Sequence, residues 1–179
     1  MPNLSKLSAT QLIAAAFTAL ILLGTFLLML PMASKSGSMT NFFDALFTAT
    51  SAITVTGLTT VDTATHWSTT GHVIISLLIQ IGGFGIIGFA TLVGFLIEGR
   101  ISLKNRISAT SESSATKQPD VKTLLLNIAK LMLFFQLVLF AFLAVRMFTE
   151  YGYSLDKALS HGAFQAISAF NQAGFALYT

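Results

Sequence analysis

Two stretches of this chain, 7–34 and 71–97, contain no Asp, Glu, Lys or Arg. Nothing else in the sequence constrains the fold as strongly. A predominantly apolar run of about 20 residues is long enough to cross the hydrocarbon of a bilayer as a helix. Composition agrees, with 54% hydrophobic and 9% charged residues and a mean hydropathy of +0.76, against roughly a quarter charged in a soluble domain. An all-α integral membrane protein is the result. The sequence has no cysteine, so disulfides, thiolate zinc sites and cysteine nucleophiles are excluded and the redox compartment is not legible. The net charge of +3 gathers in one short loop rather than along a face or tail, which argues against a nucleic-acid partner.

The first crossing is expected over about 10–30, ended by Pro31. It exceeds the roughly 7 to 15 apolar residues of a signal peptide, so a retained helix is favoured over a cleaved one. Asn41 can cap a helix over 42–53 with Asp44 in its first turn. That helix is too short to span, and Phe43, Leu46, Phe47 and Thr50 mark a core-like face, so a re-entrant helix is expected. His66 and Trp67 suit the outer headgroup level. The second crossing, 71–97, carries Gly82, Gly83, Gly85, Gly88 and Gly94, which generic close packing in lipid explains one by one.

The segment 99–122 holds Arg100, Lys104, Arg106, Lys117 and Lys122. By the positive-inside rule it is cytoplasmic, together with Lys6 and the N-terminus. A plain topology signal explains it; binding of anionic lipid or an acidic partner is the alternative. A third crossing over 123–148 carries Arg146 at its outer end and Lys130 nearer the inner one, which either snorkels or faces an internal partner. A second short helix is expected over 156–170.

Between the apolar runs lies Thr50-Ser51-Ala52-Ile53-Thr54-Val55-Thr56-Gly57-Leu58-Thr59-Thr60-Val61, uncharged, hydroxyl-rich and centred on glycine. A cation at membrane depth must exchange its water for other oxygens, and a short non-helical backbone at Gly57 supplies carbonyls. Thr-Val-Thr-Gly alone is a weak signal, and by itself it favours an ordinary turn between two membrane helices. What separates the two is a repeat: with Gly174 set over Gly57, Phe164 falls on Phe47, Ala166 on Ala49, Ser168 on Ser51 and Ala169 on Ala52 without a gap. A turn that only joins helices has no reason to recur with its preceding half-helix, whereas transporters build sites between such repeats.

These segments, with Leu78-Ile79-Gln80-Ile81-Gly82-Gly83-Phe84-Gly85-Ile86 and Ser168-Ala169-Phe170-Asn171-Gln172-Ala173-Gly174-Phe175, resemble the Trk/Ktr/HKT superfamily of potassium transporters, most closely its Ktr-type membrane subunits. The resemblance implies a pseudo-fourfold, channel-like fold of helix, re-entrant pore helix with filter loop, and helix. This chain holds about one and a half such units: a first over 1–98 with its filter near 54–60, the loop 99–122, and the start of a second over 123–179 with its filter near 171–177. It implies Thr54, Val55, Thr56, Gly57 and Leu58 in one filter loop and Asn171, Gln172, Ala173, Gly174 and Phe175 in another. Potassium is the implied substrate, sodium a candidate coupling or activating ion, and no covalent cofactor is expected. The implied partners are membrane lipid, a second copy in a homodimer, and a cytosolic ring of nucleotide-binding regulatory subunits, all at the plasma membrane. The sequence ends at Thr179, before the second unit's closing helix. The expectation is a fragment or truncated product; the alternative to transport is a non-transporting piece that inserts or associates with a full-length partner, and two copies meeting face to face could in principle supply four loops. A membrane enzyme is the third class, but Asp62, His66, His72 and His161 are too scattered to make a convincing catalytic or metal cluster.

Overall fold

The computed structural model describes residues 9–86, 88 and 121–178. Most of the basic loop, Lys6 and Gly94 lie outside them. Among the described residues the elements are helical and no strand occurs: α1 Ala9–Met29, a 3-10 turn Pro31–Ala33, α2 Phe42–Thr54, α3 Thr63–His66, α4 Thr69–Ile86, α5 Val121–Thr149 and α6 Leu155–Phe170. α4 over Thr69–Ile86 and α5 over Thr123–Thr149 are long and apolar enough to cross a membrane. α1 contributes the apolar stretch Ile13–Met29. The chain divides into two units, 1–83 with 136–179, and 84–135. The first unit holds both glycine-centred loops and the short helices that lead into them.

Local chemistry sets the helix ends. The side-chain oxygen of Asn41 accepts from the Phe43 N–H at 2.9 Å, and Asp44 stands in the first turn of α2, where a carboxylate meets the positive end of the helix dipole. Asp62 caps α3 by accepting from the Thr65 N–H at 2.8 Å and the Thr65 hydroxyl at 2.7 Å. Those two donors, the hydroxyl first, hold the Asp62 carboxyl below the ordinary carboxylate range. α2 has 13 residues, about 20 Å of helix, well short of a bilayer.

The face that α2 buries corrects the expectation from its bulky residues. Phe43 is 74% exposed and Phe47 41% exposed, whereas Ala45, Thr48, Ala49 and Ala52 are buried. Periodicity marks an apolar face, but in a lipid-soluble fold bulky groups serve equally well outside. Small residues are what allow two helices to approach. α1 packs along α2, and its Gly24 leaves room for Leu78 and Ala49. Trp67 likewise sits inside rather than on a surface, 1% exposed, in a core with Leu28, Ala33, Ile53, Ile75 and Phe164.

The segment between α1 and α4 closes at a neck. Ser34 and Trp67 form an isolated antiparallel bridge, the Lys35 N–H donates to the His66 carbonyl at 2.9 Å and the Ser68 N–H to the Ala33 carbonyl at 2.9 Å. The Ser68 hydroxyl donates to the Met32 carbonyl at 2.6 Å. Gly71 lets α4 lie against the Ala33 carbonyl, which occupies the place of a Cβ.

Candidate ion-binding loops

α2 and α6 end in the same way. Past α2, the Thr56 N–H donates to the Ser51 carbonyl at 3.0 Å, and past α6 the Ala173 N–H donates to the Ser168 carbonyl at 2.8 Å. Each bond reaches back five residues, as in a Schellman-type helix end, where a left-handed residue normally supplied by glycine turns the chain away. Here that residue is Val55, with φ 56°, in one loop and Gln172, with φ 57°, in the other. Two residues further on, Gly57 has φ 76° and Gly174 φ 74°. A β-branched residue in the left-handed region is an outlier that persists only where its surroundings over-determine it. The resemblance placed Val55 and Gln172 in the loops, but no cue in the sequence marked their backbone as left-handed, since neither is a usual left-handed residue.

Two serines at matching positions pin the loops to their helices. Ser51 Oγ accepts from the Thr56 hydroxyl at 3.1 Å, and the Ser168 hydroxyl donates to the Phe175 carbonyl at 2.6 Å, fully buried. Thr54 is the last residue of α2, its hydroxyl donating to the Thr50 carbonyl at 2.8 Å. Asn171 caps α6. In the second loop Asn171, Ala173, Phe175 and Leu177 are buried while Gln172, Gly174, Ala176 and Tyr178 are exposed, the period-two alternation of an extended segment.

The two glycines are neighbours in space. A Cβ on Gly57 would lie 2.5 Å from the Ala173 carbonyl oxygen and 2.9 Å from Gly174 Cα, and one on Gly174 3.1 Å from Gly57 Cα. Leu58, 64% exposed, lies just past the first glycine, and Phe175, 1% exposed, just past the second. Neither loop carries a charged side chain. The arrangement offers backbone and hydroxyl oxygens at the C-terminal, negative ends of two helices, an environment that favours a cation over an anion without a fixed counter-charge.

α4 supports both loops. The Ile53 carbonyl fills the place of a Gly82 Cβ, and the Asn171 side chain fills that of Gly83. Gly82 and Gly83 are therefore specific contact points at the ends of α2 and α6, not general packing residues. Sequence reading missed Gln136, which donates from Nε2 to Gln80 Oε1 at 2.8 Å.

The histidines do not join the loops. His66 Nε2 is 3.1 Å from the Thr40 hydroxyl, and His72 Nε2 donates to the Thr63 carbonyl at 2.8 Å. His72 and His161 line one cavity of about 630 Å³, and no group of three or more His, Asp or Glu able to hold a metal occurs among the described residues. His161 stacks edge-on against Tyr153, and burial, with Lys157 and His72 adding positive potential, moves its pKa down.

Known proteins resemble the chain over nearly its whole length. It is 41% identical over 172 residues to the potassium/sodium uptake protein NtpJ of Enterococcus hirae, covering 96% of this chain and 38% of that protein. It is 38% identical over 176 residues to the Ktr system potassium uptake protein B of Bacillus subtilis, covering 97% and 38%, respectively. With the protein of the same name from Vibrio alginolyticus the identity is 36% over 169 residues, covering 94% and 36%. The chain thus spans little more than a third of the length of the curated relatives it matches. Residues 4–179 also match the TrkH family, described as cation transport proteins, and with that match the chain belongs to the TrkH family.

Proposed function

We propose that this chain forms part of a potassium-conducting pathway at the plasma membrane, with the loops at Gly57 and Gly174 as two walls of its selectivity filter. The observation that carries the reading is the apposition of two glycines sharing one backbone pattern, left-handed at the glycine and again two residues before it. Shedding water from a small cation is tolerable only where replacement oxygens are already held in place, and hydrogen-bonded helix ends hold them. Backbones this close leave no room for an ion between them. The ion path therefore runs along the free side of the pair, and further oxygen donors complete it, either from additional units in a pseudo-fourfold arrangement or from a second copy. The name of the Enterococcus relative mentions sodium as well as potassium, which supports sodium as a coupled or activating ion. The homodimer, the surrounding lipid and a cytosolic nucleotide-binding ring belong to the same proposal and rest on the family resemblance.

The test is potassium uptake in cells stripped of their own uptake systems, supplied with this chain alone or with the longest reading frame that contains it. The longer protein is expected to restore uptake, and Gly57→Asp in it to abolish potassium preference while the protein still reaches the membrane. Unchanged ion preference in Gly57→Asp would sink the filter reading. Uptake by the 179-residue chain alone would assign the missing oxygen donors to another copy.

A further inference from the structure

Asn171 ends α6 three residues before Gly174, and its side chain is tied away from the loop. Its Nδ2 donates to the Ile167 carbonyl at 2.9 Å and to Gln80 Oε1 at 3.4 Å. The Ile167 carbonyl can only accept, which fixes which end of the Asn171 amide is nitrogen and hence which end of Gln80 faces it. The oxygen, Oδ1, is buried without a hydrogen-bond donor and rests where a Gly83 Cβ would be, a place open to a weak Cα–H contact and closed to any other residue. Gln80 Oε1 is shared, since it also accepts from Gln136 Nε2 at 2.8 Å. Asn171 and Gln136 are 9% and 7% exposed.

The bond to Ile167 is internal to α6 and travels with that helix. Among the described residues, the bond to Gln80 is the side-chain hydrogen bond by which Asn171 reaches another element, and Gln136 extends that tie from α4 to α5. Gln80 is half-buried and lines the cavity of about 630 Å³, whereas Asn171 and Gln136 are nearly enclosed, so an amide of theirs that loses its partner has few replacements.

Resting on the filter reading, we infer that the Gln80–Gln136 pair is the positioning device of the second loop. By holding Asn171 against Gly83, it sets where the backbone leaves α6, hence where the Gly174 oxygens stand relative to the ion. A pair that merely glued helices together would affect folding alone. A positioning pair acts on ion preference.

The experiment uses the longest reading frame containing this chain in cells without their own potassium uptake, measuring uptake against external potassium at several sodium concentrations, with membrane abundance in parallel. Gln80→Met keeps the length and removes the acceptor. It is expected to raise the half-saturating potassium concentration about fivefold and to reduce preference over sodium by a similar factor, the scale of one lost buried hydrogen bond. Membrane abundance stays at the wild-type level. Gln136→Met, which removes only the far donor, should shift the same two quantities by about threefold, and it carries the test should Gln80→Met fail to accumulate. Wild-type half-saturation and ion preference in the accumulating Met variants overturn the inference. Gly57→Asp, assayed alongside, separates the two readings. If it destroys potassium preference while Gln80→Met does nothing, the positioning role alone falls. If Gly57→Asp leaves preference intact, the filter and its positioning pair fall together.

Discussion

Val55 and Gln172 sit in a conformation that costs an ordinary residue on the order of 1–3 kcal/mol. At both sites the next N–H bonds back to the helix and the following glycine meets its counterpart. Gly57 and Gly174 were legible as loop centres because glycine advertises backbone freedom. The left-handed residues ahead of them were not, since what forces them is the meeting of two loops far apart in sequence. The side chain of Asn171 was equally hidden, as its partner Gln80 lies on a different helix. His161 yields a prediction at this scale. Its folded-state pKa lies below the ordinary 6.5, so the unfolded chain binds the proton more readily. The stability contributed by neutral His161 is complete above about pH 6.5 and declines as pH falls from there toward the folded pKa. Thermal unfolding of the protein in detergent between about pH 7.5 and pH 5.5 should show a loss at the acidic end that His161→Gln reduces. An identical pH dependence in that variant would assign the effect to other groups.

For whole elements, the contrast between two glycines is the sharpest test. Gly82 on α4 faces the Ile53 carbonyl, whereas Gly37, in the connector between α1 and α2, has φ 70° and open space around it. Gly82→Ala drives a methyl group into backbone that cannot swing aside, so α4 must move off the end of α2. Loss of about 2 kcal/mol or more is expected, the range of overpacked cores. Gly37→Asn, a residue that tolerates the left-handed region, should change stability by less than about 0.5 kcal/mol. Unfolding midpoints of the two purified variants decide it; equal values would mean that α4 does not bear on α2 as described. The start of α2 could be read from the sequence because its cap is local, Asn41 bonding two residues on; the cap that Asp62 makes on α3 is equally local but goes unnoticed in the sequence, the helix it starts being only four residues long. The buried face of α2 could not, because Phe43 and Ala49 are both apolar and only a neighbouring helix selects between them.

Taken whole, the molecule is recognisable from its hydropathy as helical and membrane-bound, whereas the joining of its loops across a long sequence separation is not. Outward residues such as Phe26, Phe134, Phe142 and Val145, each more than half exposed, give α1 and α5 surfaces suited to lipid. With α4 and α5 as crossings, the connectors near Ser38 and Thr65 are expected on one side of the membrane and the segment near Ser111 on the other. The absence of cysteine makes this measurable without removing any background thiol. In whole cells, Ser38→Cys and Thr65→Cys should react with a membrane-impermeant thiol reagent, and Ser111→Cys only after permeabilisation. Labelling of all three from outside would overturn the topology.

The neck at Ser34 and Trp67 has a consequence for how such a protein can diversify. The bridge and its flanking hydrogen bonds bring the two ends of the intervening segment together through backbone groups, so α1 and α4 are joined at that point independently of the side chains in the closed segment. That segment, α2 and the Gly57 loop included, is a closed insert whose buried residues Ala45, Ala49, Ala52 and Ile53 are the terms on which it fits its host. A graft cut at the neck that keeps those residues would move the loop together with the helix that shapes it, while the same exchange cut inside α2 would sever the bonds from Thr56 back to Ser51.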